Sequence, residues 1–186
     1  MTQTALIIGA TGGVGRALAD VLEARGAHER VVRLSRQPDP AVDVCDEASI
    51  ARAAAWLAAE GVALRLVIDA TGFLHDETFR PERGLAEIDP DHMAKAFAVN
   101  ATGPALLMKH FLPLLPREGR SVFATLSARV GSIGDNRLGG WHAYRASKAA
   151  LNQLVRGAAI ELGRKRREAI CVALHPGTVD TPLSRP

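Results

Sequence analysis

The amino-acid sequence predicts an α/β protein built on a doubly wound parallel sheet with helices on both faces. Short apolar runs alternate along the chain with longer segments of helical periodicity, which is the pattern of parallel strands joined by crossover helices. The chain has 186 residues, of which 47% are hydrophobic, and this is enough for one substantial core. Aromatic residues make up only 4%, and the many small aliphatic residues suit helices packed on a sheet. We therefore expect a single domain over residues 1–186.

Apolar runs and helical periodicity define the elements of the first half of the chain. The run ALIIG predicts a strand at Ala5–Gly9, and the segment after it predicts a helix at Gly13–Ala24. Further apolar runs predict strands at Val31–Ser35 and Val42–Cys45, and an alanine-rich segment predicts a helix at Ala48–Glu60. Only RQPDPA connects these last two strands, whereas a parallel crossover needs about a dozen residues or more. Either a tight loop replaces the crossover helix or one of the two strands is wrong.

The second half of the chain repeats the same alternation. It predicts strands at Leu64–Thr71, Ser121–Ser127 and Ala169–Leu174, and helices at Pro90–Leu115 and Ala143–Arg164. The segment from Phe73 to Asp89 is rich in charge, Gly and Pro, and we expect it to be a long surface loop. Loops at the carboxyl ends of parallel strands are where such sheets bind ligands.

Charge and cysteine content exclude several classes of protein. The formal net charge of +3 is mild, and we interpret the basic run Arg164 to Arg167 as a complement to a helix dipole, not as a nucleic-acid site. Cys45 and Cys171 lie in apolar runs and are predicted to be buried, reduced thiols of a cytosolic protein. No run reaches membrane-spanning length and no basic region precedes the first one. We expect a soluble, cytoplasmic protein with neither a nucleic-acid nor a membrane partner.

The turn between the first strand and the first helix contains Gly9, Gly12, Gly13 and Gly15, in GATGGVGRAL. Glycine permits a tight turn here and lets backbone amides at the helix N-terminus approach a pyrophosphate, while Gly15 allows close helix to strand packing. Because the turn opens a strand-helix-strand unit, it indicates a dinucleotide site. No Lys-Ser/Thr follows the glycines, which disfavours the phosphate-binding loop of nucleotide hydrolases.

The end of the second strand indicates which dinucleotide is bound. An acidic residue there would bind the ribose diol, but this chain has Ser35 and Arg36 in RLSRQP. A hydroxyl and a guanidinium suit a 2′-phosphate, so the sequence favours NADPH over NADH. The alternative for Arg36 is a solvated surface charge.

The only tyrosine of the chain, Tyr144, stands four residues before Lys148 in HAYRASKAAL. On a helix this spacing puts both side chains on one face, about 6 Å apart along the axis, where an ammonium can lower the pKa of a phenol. A tyrosine so placed can act as a general acid near neutral pH. The alternative is a surface lysine near a half-buried tyrosine.

Together with the glycine turn, this pair makes the chain resemble the short-chain dehydrogenase/reductase family. The resemblance runs from Ala5 to Thr181. Gly9, Gly13 and Gly15 match the family's Gly-x-x-x-Gly-x-Gly, although Gly12 also allows the Gly-x-x-Gly-x-x-Gly of the extended and atypical branches. The run from SARVGS to AALNQL looks most like the bacterial C-factor-like proteins and the sniffer-type carbonyl reductases.

Other segments match the family along the same chain. Asp43 falls where the family contacts the adenine ring, Asn100 in AVNATG takes the position of its helix asparagine, and HPGTVDT matches its Pro-Gly segment. DATG at Asp69 to Gly72 replaces the family's Asn-Asn-Ala-Gly, which puts the usual sheet-stabilising hydrogen bonds in question. The resemblance implies a Rossmann-type fold. It implies cofactor contacts at Gly9, Thr11, Gly12, Gly13, Val14, Gly15, Ser35, Arg36, Asp43, Ala70, Thr71, Gly72, Asn100, Tyr144, Lys148, Pro176, Gly177, Val179 and Thr181.

The resemblance also implies a reaction, in which hydride passes between a nicotinamide and a carbonyl or alcohol substrate. Tyr144 is then the general acid or base, Lys148 favours tyrosinate and holds the nicotinamide ribose, and Asn100 holds a water that links Lys148 to solvent. A serine at the end of the fifth strand is implied to bind the carbonyl oxygen. Counting from Ser121 puts Ser127 in that place, whereas counting back from Gly131 puts Ala128 there, and Ser132 is the fallback.

The leading hypothesis is therefore an NADPH-dependent carbonyl reductase or alcohol dehydrogenase acting on a small molecule. The alternative is a dinucleotide-binding signalling or regulatory protein with little turnover.

Trp141 and His142, just before the tyrosine, either line the substrate pocket or pack at the start of the helix. The histidines and cysteines form no metal-ligand pattern in the sequence. The resemblance implies a homodimer or homotetramer formed by the long helices. It also implies a further strand and a substrate lobe after Pro186, so that the chain lacks part of the working protein or ends in disorder.

Overall fold

A parallel sheet forms the centre of the molecule in the computed structural model, which describes residues 2–37 and 40–184. Its strands are β1 (Gln3–Ile8), β2 (Arg30–Leu34), β3 (Ala63–Asp69), β4 (Ser121–Leu126) and β5 (Ala169–Leu174). They lie in the order β2-β1-β3-β4-β5, and every neighbouring pair is parallel. The predicted parallel sheet is confirmed. The strand order reverses between β1 and β3, and sheets of this kind bind ligands at the carboxyl ends of the strands at such a point.

Helices cover both faces of this sheet, as predicted. They are α1 (Gly13–Arg25), α2 (Glu47–Ala59), α3 (Pro90–Phe97), α4 (Gly103–Phe111) and α5 (His142–Lys165). Because side chains alternate along a strand, Leu6 and Ile8 of β1 enter the core shared with α2, α4 and α5, whereas Ile7 packs with Ala19 of α1. All three strand residues are fully buried.

The helix predicted at Pro90–Leu115 is a succession of helical segments. Between α3 and α4 the backbone widens into a π-turn over Ala98–Thr102, and a short 3₁₀ turn at Leu112–Leu114 ends the segment. π-Turns inside α-helices often occur at functional sites. Here the π-turn contains the buried Asn100.

The predicted strand at Val42–Cys45 is wrong. Val42 donates one backbone hydrogen bond to Ser35 O at 2.8 Å, just beyond β2, and the chain then turns at residues 44–45. The short RQPDPA connection explains this, since it leaves no room for the crossover that a parallel neighbour of β2 requires. Val42 and Val44 are still buried in the core, but Cys45 is exposed, contrary to prediction. Cys171 is buried as predicted.

The segment from Phe73 to Asp89 is less superficial than predicted. Phe73 and Leu74 are buried, and Glu82 is only 2% exposed in spite of its charge. Phe73 packs with Ala96 of α3 and Ala143 of α5. This loop is therefore part of the packing between α3 and α5.

The basic run lies at the carboxyl end of α5, where we predicted it. Arg164 and Lys165 occupy the last turn of the helix. Arg166 donates hydrogen bonds to the carbonyl oxygens of Leu115 and Pro113, both at 2.8 Å, and so joins α5 to the end of the α4 segment. None of the helices within residues 2–37 and 40–184 is long and apolar enough to cross a membrane. The prediction about the end at Pro186 lies outside these residues.

Candidate active site

The glycine turn lies at the carboxyl end of β1, at the point where the strand order reverses. Gly9 has a φ of +80°, and the amides of Gly9 and Ala10 donate to Leu34 O at 2.9 and 3.1 Å. A Cβ on Gly15 would lie 2.3 Å from Gly9 O, so α1 packs against the turn more closely than any other residue permits. A Cβ on Gly9 would lie 3.1 Å from Ala70 and Thr71, which follow β3. The ends of β1 and β3 therefore meet here.

The N-terminus of α1 suits an anionic ligand. The residue before its first turn, Gly12, offers no side-chain cap, and the first turn contains no acidic residue. The segment after β5 returns to this place, since a Cβ on Gly13 would lie 2.7 Å from the Thr181 side chain. Backbone amides and the helix dipole at such a terminus stabilise phosphate groups. These residues fit a dinucleotide pyrophosphate.

Most of the other predicted cofactor residues follow the carboxyl ends of the strands. Thr11 is exposed, Val14 is half-buried, and Asp43 lies in the turn beside β2, where its carboxylate accepts from Cys45 N at 2.9 Å. Pro176, Gly177 and Val179 form an exposed segment after β5, with Gly177 at a φ of +80°.

Ser35 and Arg36 follow β2 as predicted but differ in exposure. Ser35 is 8% exposed and its hydroxyl donates to Gln37 O, so this side chain holds its own loop. Arg36 is exposed at the edge of the turn. Of the two side chains, only Arg36 is therefore exposed to solvent at this end of β2.

Asp69 stands where the family has an asparagine, and this difference put the sheet-stabilising hydrogen bonds in question. The Asp69 carboxylate nevertheless makes hydrogen bonds at this place in the sheet. Its carboxylate accepts from Thr71 N at 3.0 Å, from Thr71 Oγ1 at 2.6 Å and from Thr125 Oγ1 at 2.6 Å. The side chain is fully buried and joins the end of β3 to β4. Thr125 supplies a hydroxyl donor that a carboxylate can use directly, and nothing in the local sequence around Asp69 predicts this partner.

Asn100 links the loop after β3 to α5. Its Oδ1 accepts from Phe73 N at 2.8 Å, and its Nδ2 donates to Phe73 O at 2.7 Å and to Ser147 Oγ at 3.1 Å. Both amide protons are therefore used within the protein. The side chain is fully buried, and the π-turn carries it to this position.

Tyr144 and Lys148 lie on one face of α5, as their spacing predicts. Lys148 Nζ is 5.9 Å from the centroid of the Tyr144 ring and donates to Leu126 O, at the end of β4, at 2.8 Å. A Cβ on Gly72 would lie 3.8 Å from Lys148 Nζ and 3.7 Å from Asn100 Oδ1. The π-turn and α5 thus bring Asn100 and Lys148 together at Gly72, just after the end of β3, with Tyr144 next to Lys148.

Burial dominates the protonation of this pair. It lowers the pKa of Lys148 to about 8, against an opposing effect of the buried Asp69 carboxylate. It raises the pKa of Tyr144 above the ordinary tyrosine value. We predicted that Lys148 would lower the pKa of Tyr144, but burial of the phenol raises it instead.

We expect Lys148 to make the stability of the protein rise between about pH 7.5 and pH 9.5. The unfolded lysine, with a pKa near 10.5, binds protons that the folded one, with a pKa near 8, releases. The contribution is about 2 kcal/mol over this interval. Tyr144 has the opposite sign but acts only near and above its unfolded pKa of about 10. Urea unfolding at both pH values checks this, with Lys148→Met as the control that should lose the difference.

The serine predicted to bind a carbonyl oxygen is next to this cluster but is already hydrogen-bonded. Ser127 is 9% exposed, and its hydroxyl donates to Asn152 Oδ1 of α5 at 2.7 Å. Ser132 is exposed, and its hydroxyl accepts from Asp135 N at 3.3 Å. Ala128 is half-buried and has no donor to offer. Ser127 adjoins Leu126, which binds Lys148, so Ser127 is the better-placed serine.

Ser127→Ala is expected to lower turnover by about a hundredfold or more, the cost of losing one donor to a developing oxyanion. Ser132→Ala should leave turnover unchanged. Steady-state kinetics on both variants checks this, with folding verified by circular dichroism. A silent Ser127→Ala beside a damaging Ser132→Ala would mean that the serine register is wrong.

Trp141 is the aromatic neighbour of the tyrosine. The centroids of the Trp141 and Tyr144 rings are 6.3 Å apart, and the rings meet edge to face. The backbone of Trp141 adopts a left-handed φ of 51°. His142 begins α5 and is half-buried. Sequence reasoning missed Glu82, Thr125 and Asn152, since each contacts the site through partners distant in sequence.

A parallel sheet with a glycine turn at its reversal point, and with Asn100 and Lys148 buried near the end of β3, is the arrangement of a dinucleotide-binding oxidoreductase. A family model described as enoyl-(acyl carrier protein) reductase matches residues 9–186. The chain belongs to the short-chain dehydrogenase/reductase family. The predicted fold class and family resemblance are thereby confirmed.

Curated relatives and solved structures agree with this assignment. The chain is 31% identical to 1-hydroxy-2-glutathionyl-2-methyl-3-butene dehydrogenase of Rhodococcus sp. (strain AD45), over 98% of this chain and 80% of that protein. It is 38% identical to C-signal of Myxococcus xanthus, over 55% of this chain and 60% of that protein. NADPH-bound carbonyl reductase from chicken fatty liver superposes with a TM-score of 0.84 at 27% identity, over 98% of this chain and 78% of that one.

Proposed function

We propose that this protein is an NADPH-dependent oxidoreductase that transfers hydride between the nicotinamide and a small carbonyl or alcohol substrate. The observation that carries the proposal is the meeting of Asn100 and Lys148 at Gly72, after the end of β3, with Tyr144 next to Lys148 on α5. The chicken carbonyl reductase that this chain resembles has NADPH bound, and the Rhodococcus relative is a dehydrogenase.

The residues that would hold the cofactor surround the reversal point of the sheet. Gly12, Gly13 and the N-terminus of α1 would take the pyrophosphate, Arg36 the 2′-phosphate, and Lys148 the nicotinamide ribose. The bound nicotinamide supplies the hydride for carbonyl reduction or accepts it in alcohol oxidation.

Tyr144 has the protonation state that reduction needs. Because burial raises the pKa of Tyr144, the phenol keeps its proton at neutral pH and can donate it to the alkoxide that forms from the carbonyl. Lys148, with its pKa near 8, retains a proton in most molecules at pH 7 and can return one to Tyr144. Ser127 offers a second donor, for which a substrate carbonyl would compete with Asn152.

NADPH oxidation with a panel of aldehydes, ketones and quinones tests the proposal. We expect at least one class to be reduced, followed by loss of nicotinamide absorbance. The same panel decides the alternative, a dinucleotide-binding regulatory protein with little turnover. Two observations favour that alternative: the identity with C-signal and the engagement of the Ser127 hydroxyl by Asn152. NADPH binding without oxidation by any member of the panel would support it.

NADPH is expected to bind at least about tenfold more tightly than NADH, because the exposed Arg36 guanidinium can pair with the 2′-phosphate. Arg36→Asp should reverse the preference, since a carboxylate repels the phosphate and accepts from the ribose diol. Fluorescence titration with both cofactors checks this. Equal dissociation constants, or an unchanged ratio in Arg36→Asp, would contradict it.

We also propose that two copies associate through α4 and α5. A groove of about 580 Å³ runs between these helices, with Met108, Leu112 and Leu154 among its lining residues, and Leu154 is 40% exposed. Burying such an apolar surface favours association.

Cytoplasmic location likewise remains a proposal, based on the absence of a predicted membrane segment in the sequence.

A further inference from the structure

We propose that Glu82 is a positioning residue for the reaction: its buried carboxylate holds the N-terminus of α5 and thereby fixes Tyr144. This inference rests on the proposed function for its effect on turnover. Its structural part concerns only Glu82, Trp141 and Ala143, and it can be tested without cofactor or substrate.

Glu82 binds the start of α5 with both its side chain and its backbone. Ala143 N donates to the carboxylate, at 3.1 Å from Oε1 and 3.3 Å from Oε2. Trp141 N donates to the carbonyl oxygen of Glu82 at 2.6 Å. Glu82 is only 2% exposed, so these contacts form away from water, where an acceptor contributes most.

The start of α5 needs such an acceptor from outside. Trp141 is the residue before the first turn, its side chain makes no capping hydrogen bond, and the first turn contains no acidic residue. Its left-handed φ of 51° is an unfavourable conformation for a residue other than glycine. Gly139 and Gly140 before it are also left-handed, at φ values of 64° and 63°. A backbone of this kind persists only where its surroundings determine it.

The approach of Glu82 to this backbone is close. A Cβ on Gly140 would lie 3.1 Å from Glu82 O, so glycine is needed for the loop to pass the glutamate. On its other side the carboxylate faces α3, where His92 Nδ1 lies 3.4 Å from Oε1. His92 is 3% exposed and its ring stacks on Phe79 at a centroid distance of 5.0 Å. Glu82 is therefore held between α3 and α5.

The position of Tyr144 follows from this contact. Tyr144 is the residue after Ala143, and its ring meets the Trp141 ring at 6.3 Å. If the first turn of α5 loosens, both rings move relative to Lys148, which is held separately at Leu126. A displacement of about 1 Å in a reacting group can lower a rate a hundredfold. Glu82 acts through Ala143 and Trp141 and does not touch the reacting atoms.

The test compares two substitutions of similar volume, Glu82→Gln and Glu82→Met. The amide oxygen of glutamine can still accept from Ala143 N, whereas methionine cannot. We expect Glu82→Met to lower kcat by about tenfold to a hundredfold, with little change in the Kd of NADPH, and Glu82→Gln to keep kcat within about threefold. Glu87→Ala is the matched control, because Glu87 lies exposed in the same loop and accepts only from Arg83 N among the contacts described.

A second measurement reads the loop without turnover. The chain has two tryptophans, Trp56 and Trp141. In a protein that carries Trp56→Phe, all tryptophan fluorescence therefore comes from Trp141. Acrylamide quenching of the Trp141 fluorescence should increase about twofold or more in Glu82→Met. It should stay near the wild-type value in Glu82→Gln, because only Glu82→Met removes the acceptor that holds the segment around Trp141. If Glu82→Met does not fold, Glu82→Asp takes its place, since its carboxylate is one methylene too short to reach Ala143.

The outcomes separate the two proposals. Unchanged quenching in Glu82→Met, or equal damage in Glu82→Gln and Glu82→Met, would overturn the role of Glu82. Increased quenching in a protein that reduces no member of the carbonyl panel would overturn the proposed function and leave the hold on α5 standing.

Discussion

Tyr144→Phe is expected to abolish most carbonyl reduction, lowering kcat by about a hundredfold to ten-thousandfold, the contribution of a positioned general acid. The substitution removes one hydroxyl and keeps the aromatic ring. The packing of that ring on Trp141 and beside Lys148 should therefore persist. Stopped assays of NADPH oxidation, with product quantified over long incubations, provide the measurement.

The Kd of NADPH is the internal control for this variant. It should remain within about twofold of wild type, because the glycine turn and Arg36 are untouched and a missing hydroxyl removes at most about one hydrogen bond. Reduction at the wild-type rate in Tyr144→Phe would show that another group donates the proton. A large loss of NADPH affinity would show that the hydroxyl serves binding instead of chemistry.

The sole tyrosine of the chain allows a direct check of the acid itself. Tyrosinate absorbs at longer wavelength than tyrosine, so an optical titration reports Tyr144 alone, and Tyr144→Phe gives the baseline. Since burial raises the pKa of Tyr144, the folded protein should titrate above the range of a solvent-exposed phenol.

Much of the fold could be predicted because apolar periodicity is a local property. The runs at β1, β3 and β4 are buried on both faces and stand out without any knowledge of their neighbours. The run VDVC at Val42–Cys45 also predicted a strand, but a strand requires a hydrogen-bonded neighbour, and RQPDPA is too short for the crossover that would bring this segment beside β2. The π-turn at Ala98–Thr102 could not be predicted either, and the partners of its Asn100, Phe73 and Ser147, lie far away in sequence.

The candidate site was predictable where spacing along one element fixes geometry. Tyr144 and Lys148 share a helix, and the glycines share a turn, so their arrangement follows from local rules. The hydroxyl direction of Ser127 and the hydrogen bonds of Asp69 depend instead on residues from other elements. Glu82 is the extreme case, because a charged residue in a polar loop normally faces solvent. Only the fold shows that it is buried.

The buried polar groups of this site relate stability to function. Asp69, Asn100 and Lys148 are each at most 3% exposed, and each is hydrogen-bonded or faces an opposite charge. Protonated Lys148 lowers the free energy of unfolding, because its pKa is lower in the folded protein than in the unfolded chain. We therefore expect Lys148→Met to raise stability at neutral pH while impairing ribose binding and proton return, which is typical of a functional residue.

Gly15→Ala is expected to impair cofactor binding more than any other substitution of a single methyl group in this chain. The new Cβ would lie 2.3 Å from Gly9 O and 2.9 Å from Gly9 C, and both are backbone atoms that cannot rotate away. Either α1 or the turn after β1 must then move, and Gly9 is already held by Leu34 at 2.9 Å. Overpacking of this kind costs about 1–3 kcal/mol or more in stability.

The displaced turn would also lose its fit to the pyrophosphate, so the Kd of NADPH should rise by about a hundredfold or more, equivalent to about 3 kcal/mol. The matched control is Gly163→Ala on the exposed face of α5, where a Cβ meets nothing within 4 Å. That substitution should leave the Kd unchanged and raise stability by about 1 kcal/mol, because alanine favours helix over glycine. Isothermal titration and urea unfolding of both variants measure the contrast. If Gly15→Ala bound NADPH like wild type, the glycine turn would not be the site of the pyrophosphate.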